Sequence, residues 1–126
     1  MKDAKQFTTE DIANLFTPGA HCPLGCQTSD VPAMISYCRH LSPKKYCTVR
    51  GWQLWTLQAQ PLRQIVYADC LLDDEAGRFP SGYWVRTTEV ISIYENCICE
   101  TPNTLYILVG EGTTKEVAPE LALSFF

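Results

Sequence analysis

Between residues 31 and 41 the apolar side chains Val31, Met34, Ile35, Cys38 and Leu41 recur at i, i+3, i+4, i+7 and i+10, the spacing that lines one face of an α-helix. Ser29 or Asp30 starts this helix and Ser42-Pro43 ends it near Leu41, because the residue before a proline is driven out of the helical region. A shorter helix is expected before it. Thr8 or Thr9 offers a hydroxyl to the orphan amides, Glu10 and Asp11 suit the positive end, and Ile12, Leu15 and Phe16 form the apolar side. Pro18-Gly19 stops it, and residues 20–26 carry the punctuation of a loop. From Tyr46 onward the period becomes two and the content β-branched and aromatic, which marks a change to strands. Strands are expected over 46–50, running on less clearly to 57, and over 64–71, 83–87, 90–94 and 104–109, with a bulge at Gly51. Asp73-Asp74-Glu75-Ala76-Gly77-Arg78 is a polar turn, and Thr101-Pro102-Asn103 joins residues 97–100 to the last strand as a hairpin.

These elements predict an α+β fold: two N-terminal helices packed on a small curled antiparallel sheet of about five strands, closing toward a partly open barrel. A single domain is expected over 1–126, mainly helical over 1–44, sheet over 45–112, and a C-terminal tail over 113–126. The tail ends on Phe125-Phe126. Its aromatics either pack on the domain itself or form a patch for another chain, including a second copy in a homodimer.

With 126 residues, 46% of them hydrophobic and 19% charged, the chain buries enough surface to fold without a disulfide framework or a metal. No apolar run approaches the ~20 residues of a membrane span, and Met1-Lys2-Asp3-Ala4-Lys5-Gln6 lacks the apolar stretch of a secretory signal. A cytoplasmic protein without membrane association is expected. The net charge of −4 divides unevenly: residues 1–63 hold seven Lys/Arg against four Asp/Glu, and residues 64–126 hold three against ten. An acidic half disfavours direct nucleic-acid binding and favours docking on a basic protein surface, with Asp73, Asp74 and Glu75 as candidate contacts.

Seven cysteines, an odd number, in a reducing compartment argue against a disulfide framework. Cys38, Cys47 and Cys70 lie in apolar periodic segments and are expected as core thiols. His21, Cys22 and Cys26, with Cys38, His40 and Cys47, contain the ligand types of a zinc site, but their spacing is unlike that of zinc knuckles, so Cys22, Cys26, His40 and Cys47 are weak candidates. Cys97 and Cys99, two apart in a strand, are expected on one face. Thiol catalysis needs a cysteine with a depressed pKa, and only His21 and His40 are on hand for that role. The acidic turn lacks the closing glutamate of an EF-hand, Gly110-Glu111-Gly112 places a negative charge where a phosphate would sit, and no Gly-x-Ser-x-Gly, His-Glu-x-x-His or Walker pattern is present. No cofactor and no catalytic activity are expected.

Trp52, Trp55, Tyr67, Tyr83, Trp84, Tyr94 and Tyr106 mostly fall on strands, and most of them are expected in the core. In an alternating strand Tyr83 and Val85 face away from Trp84 and Arg86, so one of the two groups lies near the surface. An exposed Trp84 beside Arg86 is the kind of pair that anchors protein binding.

Arg78-Phe79-Pro80-Ser81-Gly82-Tyr83-Trp84-Val85-Arg86-Thr87-Thr88 and Glu100-Thr101-Pro102-Asn103-Thr104-Leu105-Tyr106-Ile107-Leu108-Val109-Gly110-Glu111-Gly112, together with Lys45-Tyr46-Cys47-Thr48-Val49-Arg50-Gly51-Trp52, carry a resemblance. Over about residues 45–115 the chain resembles a family of short, uncharacterised bacterial and prophage proteins, a domain of unknown function. The shared motifs read as turn glycines, core aromatics and a hairpin, and no catalytic residue follows from them. The family tends to be basic after its final glycine pair, where this chain has Thr113-Thr114-Lys115-Glu116. The resemblance implies an accessory protein of phages or mobile elements. The expectation is a non-enzymatic module that binds and inhibits a host protein complex with a basic surface, such as an anti-defence or anti-CRISPR inhibitor. The alternatives are a small zinc-stabilised or thiol-active protein and a structural or regulatory homodimer.

Overall fold

The structure is a computed structural model and describes residues 7–123. At its centre lies β2 (Lys45–Leu57), 13 residues long. On one edge β3 (Arg63–Asp74) returns antiparallel, with Leu57 opposite Arg63 and Trp52 opposite Ala68. On the other edge β2 has two partners in succession. β7 (Thr104–Val109) runs beside Lys45 to Arg50, and β8 (Gly112–Val117) beside Gln53 to Leu57, both parallel to β2. The sheet is therefore mixed rather than antiparallel. Side-chain alternation is the same for either strand direction, so the pattern of residues did not distinguish them. A parallel neighbour needs a long crossover, and the path through residues 75–103 brings the chain back to the start of β2.

Shorter strands extend the sheet. β6 (Ile98–Glu100) and β5 (Ser92–Tyr94) continue from β7, β1 (Ala20–Cys22) lies on β8, and β4 (Val85–Arg86) pairs with β3. These eight strands curl into a half-barrel. The stretch expected as a loop over 20–26 thus contributes β1 and a further bridge from Cys26 to Val109. The expected tail forms β8 and a short helix, α3 (Pro119–Leu123). The expected bulge at Gly51 is displaced: the β2–β3 register shifts between Thr48 and Val49, where Leu72 is the extra residue. Gly51, at φ 64°, stands where β2 changes partner, opposite the step over Gly110 and Glu111.

Two helices form as expected. α1 (Thr9–Phe16) is capped by Thr8, whose hydroxyl accepts from the Asp11 amide at 3.0 Å while the Asp11 carboxylate accepts from the Thr8 amide at 2.9 Å. α2 (Val31–Leu41) follows a 3-10 turn at Thr28–Asp30 and ends before Pro43. It lays Val31, Met34, Ile35, Cys38 and Leu41 against Ile98, Leu105 and Ile107. α1 and α3 cover the far end of β2, where Leu15 and Ala122 pack with Trp55 and Leu57. Between these layers Trp52, Val66, Leu71, Cys99 and Leu108 fill the curl of the sheet. Phe125 and Phe126, the expected patch, lie outside the described residues.

Candidate functional site

β3 leaves the sheet at Asp74 into the turn that the acidic run predicted. There the three acids part company. The Asp74 side chain is 1% exposed. One of its oxygens accepts from the Cys47 thiol (3.4 Å) and the Ala76 amide (3.0 Å), and the other from the Arg78 amide (2.9 Å) and Arg78 Nε (3.4 Å). Burial raises its pKa, but these donors outweigh burial and hold it below the ordinary carboxylate value, so it stays charged. Glu75 is half-buried, accepts from the Tyr46 amide at 3.1 Å and pairs with Arg39 at 3.0 Å. Asp73 alone of the three is exposed, with the Tyr46 hydroxyl 3.4 Å from its carboxylate. An acidic docking face built from all three is not what the fold makes. A short polar run reads as solvated, yet the turn closes by folding its middle carboxylate inward onto its own amides.

The braced turn feeds residues 78–84, which arch back along β3. Gly82, at φ 92°, donates to the Leu71 carbonyl, and the Leu71 amide donates to the Tyr83 carbonyl, both at 2.7 Å. Regular pairing resumes only at Val85 and Arg86. The strand expected over 83–87 is thus shortened, because Pro80 and Gly82 keep the arch from regular ladder geometry. Side chains there do not alternate. Phe79, Tyr83 and Trp84 are all exposed, at 56%, 56% and 53%, so Tyr83 joins Trp84 at the surface instead of facing inward.

Under the arch is a cleft of about 450 Å³. Its floor is the buried trio Cys47, Leu71 and Tyr106, its rim is Phe79, Tyr83 and Trp84, and Arg78 and Arg86 reach its walls. Burial pushes the Cys47 thiol up to about 12, helped by the hydrogen bond and charge of Asp74, which removes it as a nucleophile at neutral pH. Burial likewise lowers the pKa of Arg86, the mark of a partly desolvated cation. Asp74 offsets the charge of Arg78, and the lining combines apolar rings with two guanidinium groups. Such a lining suits a ligand that combines an apolar side chain with a carboxylate.

The other sequence candidates are scattered. Cys22 is buried near Cys99 within the curl, Cys26 is half-buried beside Cys97, and Cys47 lies under the arch. His40 is exposed on α2, with Nδ1 2.8 Å from the Ser36 carbonyl. Among the described residues no three His, Cys, Asp or Glu side chains gather as a metal site, so the zinc candidates do not come together. Cys38 and Cys47 are core thiols as expected, whereas Cys70 is only half-buried. Cys97 and Cys99 do not share a face. Cys97 precedes β6 in the turn through Glu95 and Asn96, both at positive φ, and packs with Cys38, while Cys99 packs with Trp52 and Leu108. The sequence named Trp84 and Arg86 as a pair and the cleft contains both. It missed Phe79 and Arg78, for which Pro80 and Gly82 just ahead of the expected strand were the available signal.

No described helix is long and apolar enough to cross a membrane. A family model described as "Domain of unknown function (DUF6957)" matches residues 23–124. The match takes in α2 and β8 as well as the 45–115 stretch that carried the resemblance. No curated protein and no solved structure matches the chain.

Proposed function

The chain belongs to the DUF6957 family, a domain of unknown function, and from its own geometry we propose that it is a non-enzymatic interaction module that seats a segment of a protein partner in the cleft under the 78–84 arch. One observation carries this reading: three aromatic rings more than half exposed at the mouth of a cleft whose floor is buried and whose walls hold two guanidinium groups. Large exposed rings in water are a cost that a partner removes. Covering roughly 100 Å² of each ring is worth about 2–3 kcal/mol apiece before the costs of association. The cleft holds one or two side chains, so the segment is short and pairs an apolar side chain with an acidic one. The narrower reading, that the partner belongs to a host complex which the module inhibits, adds a biological setting to the same binding face.

Selection of a random peptide display library on the immobilised protein tests the proposal. Enriched peptides are expected to place Asp or Glu beside an aromatic or aliphatic residue, to weaken with added salt, and to lose at least about tenfold in affinity on Trp84→Ala. No enrichment, or peptides that bind Trp84→Ala as they bind the wild type, overturns it. Capture from a host lysate with both proteins then tests the inhibitor reading: a member of a defence complex retained by the wild type and lost by the variant supports it, and any other captured set refutes it.

A further inference from the structure

Residues 23–26 and the β5–β6 hairpin come from distant parts of the chain and meet at the edge of β7. The Gly25 amide donates to the Asn96 carbonyl at 2.8 Å, the Cys26 amide to the Leu108 carbonyl at 2.9 Å, and the Leu108 amide to the Cys97 carbonyl at 2.8 Å. These bonds set Cys26 and Cys97 side by side against β7, in one cluster with Val109 and Ile107, near enough for each thiol to act on the ionisation of the other. Cys97 is 1% exposed, whereas Cys26 is half-buried and open to solvent from the shallow cleft between Pro23 and Glu111. We propose that Cys26 and Cys97 are a redox-active pair that closes to an intramolecular disulfide on reaction with a small disulfide of the glutathione class.

The two thiols have different parts. Burial raises the pKa of both, but the neighbouring Cys97 lowers that of Cys26 while Cys26 raises that of Cys97 further, so Cys26 ionises first. Cys26 is also the accessible one. Its thiolate attacks one sulfur of the small disulfide, that S–S bond breaks, and one small thiolate leaves and takes up a proton. Cys97 then loses its proton to solvent and attacks the Cys26 sulfur, forming the Cys26–Cys97 bond and expelling the second small thiol. Two protein thiols are oxidised by two electrons, and one small disulfide is reduced to two thiols. Cys22 and Cys99 are also neighbours, but at 4% and 0% exposure neither meets the oxidant.

The test is incubation of the native protein with oxidised glutathione at mildly alkaline pH, followed by intact mass and by non-reducing digestion with mass spectrometry. The expected result is a loss of two hydrogens and one cross-linked peptide pair holding Cys26 and Cys97, with Cys22 and Cys99 still free. Cys97→Ser is expected to stop at a lasting glutathione adduct on Cys26, while Cys38→Ser still closes the bond. A lasting adduct on Cys26 in the wild type, a cross-link between other cysteines, or a Cys26 that reacts only after denaturation overturns the proposal. These wild-type readouts decide it even if the Cys97 variant does not fold.

Discussion

Asp74→Asn separates a brace from a surface charge. The carboxylate makes four hydrogen bonds, two at each oxygen, with its side chain 1% exposed. An amide in its place keeps one acceptor oxygen and turns an NH₂ toward either the Arg78 amide and guanidinium or the Cys47 thiol and Ala76 amide. Two bonds are lost and donor meets donor. A hydrogen bond to a charged group is worth about 1.5–3 kcal/mol, and the bond to Arg78 Nε is discounted to under about 1 kcal/mol because that side chain is 44% exposed. The expected loss is about 2–4 kcal/mol, read as a lower urea midpoint at unchanged slope. Asp73→Asn, at an exposed site in the same turn, is expected to change stability by under about 0.5 kcal/mol. The pH dependence has a fixed sign. The folded pKa of Asp74 lies below the ordinary 3.8, so its contribution is complete above that value and is lost as pH falls through the lower folded value. The gap between wild type and Asp74→Asn should therefore narrow in acid. Equal urea midpoints for the two variants at neutral pH would refute the assignment of Asp74 as the brace of the arch.

Other perturbations test other parts of the fold. A Cβ at Gly112 would fall inside the van der Waals shell of the buried Trp52 indole, so Gly112→Ala is expected to cost about 1–3 kcal/mol in urea unfolding. Lys115 Nζ donates to the Asn14 and Thr17 carbonyls at 2.7 and 2.8 Å, closing the C-terminal end of α1; Lys115→Met should cost about 1 kcal/mol and speed amide exchange in α1 while sparing β7. On the alkaline side, burial lifts Cys47, Cys97 and Cys99 from 9.0 to about 12 and Cys38 to about 11. The unfolded chain then gives up protons that the native state keeps, and stability falls from pH 9 upward by up to about 1.4 kcal/mol per thiol per pH unit. A urea midpoint that stays flat from pH 9 to about 11 would contradict that burial.

The legible parts of the fold were those set by local chemistry. β7 shows its limits, Thr104 to Val109, as a β-branched and aliphatic run between Asn103 and Gly110, and α2 shows its buried face in five spaced apolar residues. β8 was hidden because Thr113, Thr114, Lys115 and Glu116 resemble a solvated tail. In the fold Thr113 accepts from the Gly19 amide, Thr114 donates to the Leu54 carbonyl and Lys115 caps α1. Those partners are 60 or more residues away along the chain, and no local pattern encodes them. The same holds for the parallel pairing of β2 with β7 and β8. At the site, Trp84 and Arg86 were visible as a pair, but their setting depends on an arch that abandons alternation and on a carboxylate that turns inward.

The central claim is that the aromatic cleft is the binding face, and it is met most directly by titrating one selected peptide into wild type and into Trp84→Ala. Trp84 is 53% exposed, so its loss is expected to leave the protein folded while weakening the peptide by at least about tenfold. Equal affinity for the two proteins, with both folded, would contradict the account.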